Sequence, residues 1–193
     1  MKIFIDNCSL LKIKSKRDMT VLHEQYVLIK ENRITKIGTV NDEAYLLNKG
    51  EGEEILQANG QLLMPGFLNG HTHLFQTFTR GFSDGRSLFT WLKEYIWPFI
   101  TIMEEDDFYL SALVGAVENI KSGATSVIDQ HYVHIKPEFD DKTIEAMIKS
   151  GIRGTYCRTF GDINAYDALL EDGAHIKSES IRLLETYHNT QYA

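Results

Sequence analysis

Hydrophobic and polar positions follow two different patterns along the chain, and the change lies near Leu62. Residues 1–61 contain short β-branched runs separated by polar turns, without helical periodicity, and this pattern predicts a small β-sheet. Within it, the segment YVLIKENRITKIG predicts a hairpin that turns at Glu31 and Asn32. The acidic segment 41–54 predicts a charged surface excursion outside the core.

Residues 62–193 alternate apolar strands with amphipathic helices, which is typical of βα units and a parallel sheet. The predicted strands are LLMPGFLNGHTH, ATSVIDQH and IRGTYCRTF. The predicted helices cover 104–122, a segment from Asp140 or Asp141 to Gly151, and 176–188.

The sequence predicts a buried stripe for the first and the last of these helices, and a capping box for the first. Thr101 to Glu104 have the spacing of a capping box before the first helix. The predicted buried stripes are Leu110, Leu113, Val114 and Val117 in the first helix, and Ile176, Leu183, Leu184 and Tyr187 in the last.

Together the patterns predict an α/β fold with two domains, one over 1–61 and one over 62–193. Three βα units cannot close an eight-stranded barrel, which uses ~250 residues. An open doubly wound sheet is expected to carry a glycine-rich phosphate-binding turn after its first strand. Neither GxGxxG nor GxxxxGK followed by Ser or Thr occurs in the sequence.

The charge balance and the cysteine content narrow the candidate functions. The 193 residues include 20 Lys and Arg against 27 Asp and Glu, with a formal net charge of −7, so we expect neither nucleic acid nor a membrane as a partner. Asp6 interrupts the amino-terminal apolar run, so no secretory signal is predicted and a cytoplasmic location is expected. The two cysteines, Cys8 and Cys157, leave His and carboxylate side chains as the expected ligands of any metal.

His71 and His73 carry the sharpest chemical signal. They are two residues apart on a predicted strand, so both imidazoles point to one face and can reach a single ion. They also lie at the carboxyl end of that strand, where barrel enzymes assemble their sites. The alternative interpretation is that one or both rings only cap the strand.

The residues around this pair resemble a known family. MPGFLNGHTHLFQTFTRG closely resembles the first-strand signature of the metal-dependent amidohydrolase superfamily, and DGRSLFTWLKEYIWP is similar to the loop and helix inserted in its deaminase and chlorohydrolase branch. SGATSVID and GIRGTYCRTF fall where that family has its second and third strands. The resemblance implies the first part of a (β/α)8 barrel preceded by a small β-sandwich segment.

The resemblance also implies a cofactor and a ligand set. His71 and His73 would bind one divalent ion, zinc or iron, together with a His from the fifth strand and an Asp from the eighth. A further Glu and His would move protons, and none of these catalytic residues is visible in this chain. No histidine after the pair is followed by Glu three residues on, so we expect the 193 residues alone to be inactive.

Four residues are candidate substrate-binding residues. Gln76 can donate and accept hydrogen bonds against a heteroaromatic ring, or it is a surface amide. Trp91 and Trp97 can exclude water and stack on a planar substrate, or they pack in the core. His131, at the end of the second predicted strand, is expected to face the same end of the sheet as the histidine pair.

Three charged residues have alternatives that the sequence leaves open. Arg80 and Arg158 bind either an anionic or carbonyl group of the substrate or a nearby carboxylate. Asp129 either orients a ligand histidine or caps a turn.

Two classes of function follow. The leading hypothesis is hydrolytic removal of ammonia from a small purine-, pyrimidine- or triazine-like heteroaromatic substrate by metal-activated water, with a halide or an alkylamine as the alternative leaving group. The protein is expected to be able to form a homo-oligomer. The alternative is a non-catalytic truncated relative that acts at most as an association or binding fragment.

Overall fold

The structure is a computed structural model that describes residues 1–82, 85–163 and 166–188. The chain divides into two compact units, Met1–Pro65 and Gly66–Ala193, and both helices and sheets are present, so the fold is mixed α/β. Asp84, the first residue of the segment DGRSLFTWLKEYIWP, lies outside the described residues. In the described part of the chain, every helix is too short or too polar to cross a membrane.

The first unit is built on one five-stranded sheet with the order β3-β2-β1-β4, in which β5 also pairs with β1. Strand β2 runs antiparallel to both β1 and β3, whereas β4 and β5 run parallel to β1. Their bounds are Lys2–Ser15 (β1), Asp18–Lys30 (β2), Arg33–Thr39 (β3), Glu54–Gln57 (β4) and Leu62–Leu63 (β5).

The predicted hairpin is confirmed. Strands β2 and β3 pair in antiparallel fashion, with Lys30 opposite Arg33. The two turn residues, Glu31 and Asn32, have φ values of 49° and 63°, and this left-handed pair is the backbone of a type I′ turn. The turn therefore forms without the Asn-Gly dipeptide that usually marks it.

The acidic segment 41–54 is more than a surface excursion, because it contains helix α1 (Tyr45–Gly50). Asn48 of this helix is buried, and its amide donates to the hydroxyl of Tyr26 at 2.6 Å. The hydroxyl of Tyr45 donates to the buried carboxylate of Asp6 at 2.8 Å. The charge count did not reveal these contacts, because two uncharged side chains make them.

The second unit contains a three-stranded parallel sheet with the order β6-β7-β8. The strands are β6 (Phe67–Thr72), β7 (Ala124–His131) and β8 (Arg153–Arg158). The main helices are α4 (Glu105–Lys121), α5 (Pro137–Ser150) and α6 (Gly173–Tyr187). Between β6 and α4 lie a 3₁₀ helix (Leu74–Thr79), α2 (Leu88–Trp91), a π-helical turn (Leu92–Ile96) and α3 (Trp97–Ile100), and a second 3₁₀ helix (Asp167–Leu169) precedes α6.

The strand predicted over LLMPGFLNGHTH is two separate strands. Leu62–Leu63 pairs with β1 in the first sheet, and β6 starts at Phe67 in the second. Pro65 separates them, since proline has no N–H to donate to a continuing ladder. The domain boundary is predicted just before Leu62, but Leu62 and Leu63 belong to the first sheet. The boundary in the structure lies between Pro65 and Gly66.

The predicted helix over 104–122 is confirmed within one residue at each end, but its capping box lies one turn later than predicted. Its N-cap is Glu104, whose main-chain N–H donates to the carboxylate of Asp107 at 2.9 Å. Thr101 instead caps the carboxyl end of α3. The predicted end is confirmed, since Gly123 follows the helix with a φ of 90°.

Three of the four residues in the predicted buried stripe of α4 are exposed, whereas Leu113 is half-buried and packs against the core. Leu110, Val114 and Val117 are 41–48% exposed. The buried positions are Phe108 and four small residues, Ser111, Ala112, Gly115 and Ala116. Small side chains let this helix approach the 3₁₀ helix closely, and a Cβ atom on Gly115 would lie 2.5 Å from Thr77 Oγ1.

The last two helices also differ from the sequence predictions at their starts. Helix α5 begins at Pro137 with Lys136 as its N-cap, so Asp140 lies inside the first turn and does not cap it. Gly151 ends α5 with a φ of 78°, as predicted. In α6, only Leu183 of the predicted stripe is fully buried and Leu184 is 56% exposed, because this side of the helix borders an open cavity.

Candidate metal and substrate site

His71 and His73 lie at the carboxyl end of β6, where the sequence predicts a metal pair. Their rings are 4.8 Å apart between centroids and nearly perpendicular. His71 is exposed and His73 is half-buried. The two imidazoles are therefore close enough to bind one ion from a solvent-accessible side.

The ring of His73 is oriented by the neighbouring strand. Its Nδ1 atom lies 2.5 Å from the main-chain oxygen of Gln130 in β7. Because a carbonyl only accepts, Nδ1 carries the proton, and the neutral ring then has its lone pair on Nε2. Burial lowers the pKa of His73, the nearby His71 lowers it further, and the hydrogen bond to Gln130 opposes both. The ring is thus kept neutral, which is the form that binds a metal.

Two side chains hold the backbone on either side of the pair. Asp129, which is fully buried in β7, accepts the main-chain N–H of Leu74 at 2.7 Å. Asn69 accepts the N–H of His71 at 3.2 Å and donates to Asn119 of α4 at 2.9 Å. The sequence left open whether Asp129 orients a ligand or caps a turn, and its carboxylate fixes the start of the 3₁₀ helix.

A cavity of about 260 Å³ lies beside His73. Two of the predicted substrate residues, Gln76 and Trp91, line it together with His73. Arg80 and Glu118 form a bidentate ion pair at its wall, with one N–O distance of 2.9 Å. For Arg80 the structure therefore shows pairing with a carboxylate.

Gln76 is held by a tyrosine that sequence reasoning did not single out. Its amide Nε2 donates to the hydroxyl of Tyr132, and the Tyr132 ring stands edge-on to His73 at 5.3 Å. Burial raises the pKa of Tyr132, so the side chain stays a neutral phenol. The adjacency of Tyr132 to His131 at the end of β7 was the one sequence signal for it.

Trp97 and His131 lie in the interior. Trp97 is 7% exposed within a cluster that includes Phe75 and Phe108, and Trp91 packs partly against this cluster. His131 is fully buried, and its ring contacts those of Phe75 and Phe108 at centroid distances of 4.6 and 5.9 Å. No atom of His131 is open to solvent in the described structure.

Residues 62–191 match the Amidohydrolase family. The chain belongs to this family.

The chain is similar to several proteins of known name or structure. It is 36% identical over 159 residues to 5'-deoxyadenosine deaminase from Methanobrevibacter smithii. This alignment covers 82% of the chain and 33% of that relative. Guanine deaminase from C. acetobutylicum, solved with bound guanine, superimposes with a TM-score of 0.83 at 19% identity, over 98% of the chain and 44% of that protein. Atrazine chlorohydrolase from Arthrobacter aurescens, solved with zinc and atraton, gives 0.82 at 20% identity over the same shares.

The chain spans about a third of the length of the curated relative. The solved structures are below 25% identity and establish a shared fold alone.

A second cluster of polar residues in this amidohydrolase was missed by sequence reasoning. His134, in the loop after β7, binds Asp140 through Nδ1 at 2.8 Å and the main-chain oxygen of Thr159 through Nε2 at 2.6 Å. His131, His134 and Asp140 are all buried and lie close enough together that they could hold a metal ion. Only the spacing of the two histidines, three residues apart, hinted at this cluster.

Arg158, at the end of β8, is also buried and paired. Both of its terminal nitrogens contact the carboxylate of Glu171, one of them at 3.3 Å. A larger cavity of about 870 Å³ lies between β7, β8, α5 and α6 and includes Arg158 in its lining. It is mainly apolar and does not include the pair His71 and His73.

Proposed function

We propose that the protein is part of a metal-dependent amidohydrolase that removes ammonia hydrolytically from an amino-substituted purine-like ring. His71 and His73 bind a divalent ion, with zinc or iron as the expected metal. The observation that supports this most strongly is the contact between His73 and the carbonyl of Gln130, because it leaves Nε2 as the ligand atom. The donor set of two neutral imidazoles suits either metal.

The fold that accompanies this function is the first part of a (β/α)8 barrel, over 62–193, preceded by a small β-sandwich segment, over 1–61. The three parallel strands in the order β6-β7-β8 support the barrel assignment, since adjacent parallel strands in chain order are what a barrel requires. The histidine pair lies at the carboxyl ends of these strands. This is the end at which barrel enzymes bind their substrates.

The chain supplies orientation, hydrogen bonding and cover. A divalent ion bound here supplies the positive charge that makes a bound water acidic at neutral pH. Asp129 and Gln130 hold the backbone and ring that present the ligand atoms. Gln76 and Trp91 face the cavity beside His73, where an amide edge and an indole surface suit a flat ring with polar edges.

We infer the substrate class from the cavity and from the relatives together. The relative named above acts on 5'-deoxyadenosine, and one structural neighbour was solved with guanine. Trp97 and His131 are buried, so we do not expect either to touch the substrate. Trp97 would act only indirectly, through the aromatic cluster against which Trp91 of the cavity packs.

The full-length parent protein, loaded with zinc or iron, provides the test. We expect ammonia release from 5'-deoxyadenosine or guanine, loss of that activity in the His71→Ala/His73→Ala variant, and little effect of His188→Ala, which removes an exposed histidine. Release of chloride from chlorotriazines without ammonia release from purines would contradict deamination. Residues 1–193 alone should show no turnover, because two imidazoles supply fewer ligands than the three a catalytic zinc ordinarily uses.

A further inference from the structure

A compact group of polar side chains is buried at the carboxyl end of β7, away from solvent. We call it the β7–α5 cluster, and it consists of Asp129, His131, His134 and Asp140. Asp129, His131 and Asp140 have no exposed surface, and His134 is 8% exposed. Ligand atoms of His131, His134 and Asp140 lie within 4.8 Å of one another.

Three atoms in this cluster have no hydrogen-bond partner among the described residues. They are Asp129 Oδ2, His131 Nδ1 and Asp140 Oδ2. The first two face each other at 3.8 Å. A buried polar atom without a partner is costly, so two carboxylate oxygens and one imidazole nitrogen in one place indicate a missing positive group between them.

The charges of the surrounding side chains also fail to balance. Asp129, Asp140 and Glu171 are buried carboxylates, while the guanidinium of Arg158 faces Asp140 and Glu171. The terminal nitrogens of Arg158 are taken by Glu171, and its Nε is still 3.8 Å from Asp140. The proton between His134 and Asp140 balances one of the two remaining charges, those of Asp129 and Asp140. When that proton leaves, the two carboxylates present two negative charges, and a divalent cation matches that number.

The two histidines present their rings as metal ligands do. The Nε2 atom of His131 lies 3.0 Å from the main-chain oxygen of Val133, so it donates and leaves the lone pair on the unpartnered Nδ1. The Nε2 atom of His134 donates in the same way to Thr159. Metal-bound histidines usually donate their other ring N–H to a carbonyl or carboxylate, and both rings have that arrangement.

We propose that the β7–α5 cluster is a structural metal site for zinc, separate from the pair His71 and His73. The ligands are His131 Nδ1, His134 Nδ1 and the carboxylate of Asp140, with Asp129 beside them. Binding displaces the proton that His134 now shares with Asp140, and that proton passes to solvent. Two imidazoles with carboxylate oxygens form a donor set that suits zinc and disfavours calcium or magnesium.

Such an ion would join three segments of the chain. His131 ends β7, His134 lies in the following loop, and Asp140 lies in the first turn of α5. The same end of β7 carries Gln130, whose carbonyl orients His73. An ion in the cluster would therefore stiffen the frame that holds the exposed histidine pair.

The decisive experiment uses the His71→Ala/His73→Ala chain, in which the cluster is intact and the exposed pair is gone. After dialysis against zinc and removal of free metal, elemental analysis should find about one zinc per chain. Zinc should raise the midpoint of thermal unfolding and a chelator should lower it. Adding Asp140→Asn should weaken zinc binding at least ~10-fold.

Glu138→Gln is the matched control, since it removes an exposed carboxylate from the same turn of α5. It should leave the zinc content unchanged. If the His71→Ala/His73→Ala chain retains no zinc, and neither zinc nor a chelator moves its unfolding midpoint, the structural site does not exist. That outcome would not contradict the proposed function. Zinc binding by the exposed pair, His71 and His73, is measured separately in the unmodified chain.

Discussion

Asp129 accepts the main-chain N–H of Leu74 at 2.7 Å, and both residues are buried. A carboxylate on the central strand of the parallel sheet thus fixes the residue that immediately follows the histidine pair. The contact joins residues that are 55 positions apart in the chain.

Replacement of Asp129 tests the strength of this contact. Asp129→Ala leaves the N–H of Leu74 buried without a partner, so we expect a loss of ~1–3 kcal/mol in the free energy of unfolding. Asp129→Asn keeps an oxygen acceptor and should cost less than half as much. Urea unfolding followed by tryptophan fluorescence, in the presence of a chelator, measures both. Equal losses for the two variants would contradict the role of the hydrogen bond.

The close approach of α4 to the 3₁₀ helix gives a second prediction. In Gly115→Ala the new methyl group would lie 2.5 Å from Thr77 Oγ1 and 3.4 Å from the main-chain oxygen of Leu74. We expect a destabilisation of ~1–3 kcal/mol from this overpacking. Gly173→Ala, at a helical glycine with open space around it, should be neutral or stabilising.

A double variant identifies the cause of the effect. Thr77→Ala removes the oxygen that the new methyl group meets, so Gly115→Ala should cost less in that background. Thermal unfolding of the four proteins forms a double-mutant cycle. A cost that is unchanged by Thr77→Ala would mean that the clash is with Leu74, whose side chain lies 3.1 Å from the new methyl group.

The first unit should depend on pH through Asp6. Burial alone would raise the pKa of this carboxyl group, but hydrogen bonds from Lys49, Tyr45 and Gln57 outweigh it and lower the pKa below its usual value. A lowered pKa in the folded state means that the stabilisation is complete above the unfolded value, near 3.8, and is lost as the pH falls through the folded value.

The matching measurement must report on the first unit, because both tryptophans, Trp91 and Trp97, lie in the second. Ring signals of Tyr26 and Tyr45 in NMR spectra of the whole chain, recorded from about pH 6 down to about pH 2, serve this purpose. Asp6→Asn should lower stability near neutral pH and flatten the acid dependence. An unchanged acid dependence would assign it to other carboxylates.

Tyr132 provides a test of how Gln76 is positioned in the proposed enzyme. Tyr132→Phe keeps the aromatic ring beside His73 and removes the hydroxyl that accepts from Gln76. In the full-length enzyme we expect KM for the purine substrate to rise ~3- to 30-fold while the metal content is unchanged. Gln76→Ala should have an effect of similar size, and the double variant should add little to it. A loss of metal in Tyr132→Phe would contradict a role confined to the substrate.

The sequence was informative where a pattern is local. The turn at Glu31 and Asn32, the glycines that end α4 and α5, and the parallel strands from Phe67 onward all follow from neighbouring residues. The placement of His71 and His73 at the end of a strand follows in the same way.

The sequence was misleading where packing depends on distance between elements. Hydrophobic periodicity assigns large apolar residues to the core, but α4 buries Ser111 and Gly115 because it packs closely against the 3₁₀ helix. The contact of His134 with Asp140 depends on where a loop places one ring over a helix start, and no periodicity encodes that. Burial of Trp97 and His131 likewise depends on the aromatic cluster that surrounds them.

The central position of β7 has a consequence for how this fold can change during evolution. Its side chains alternate between the two faces of the sheet, so an insertion or deletion of one residue within Ala124–His131 would turn Asp129 and His131 to the opposite face. One such event would abolish three features at once. They are the hydrogen bond from Leu74 to Asp129, the Gln130 carbonyl that orients His73, and the β7–α5 cluster. Length variation among relatives should therefore be rare in this strand and should fall instead in the loops that follow it.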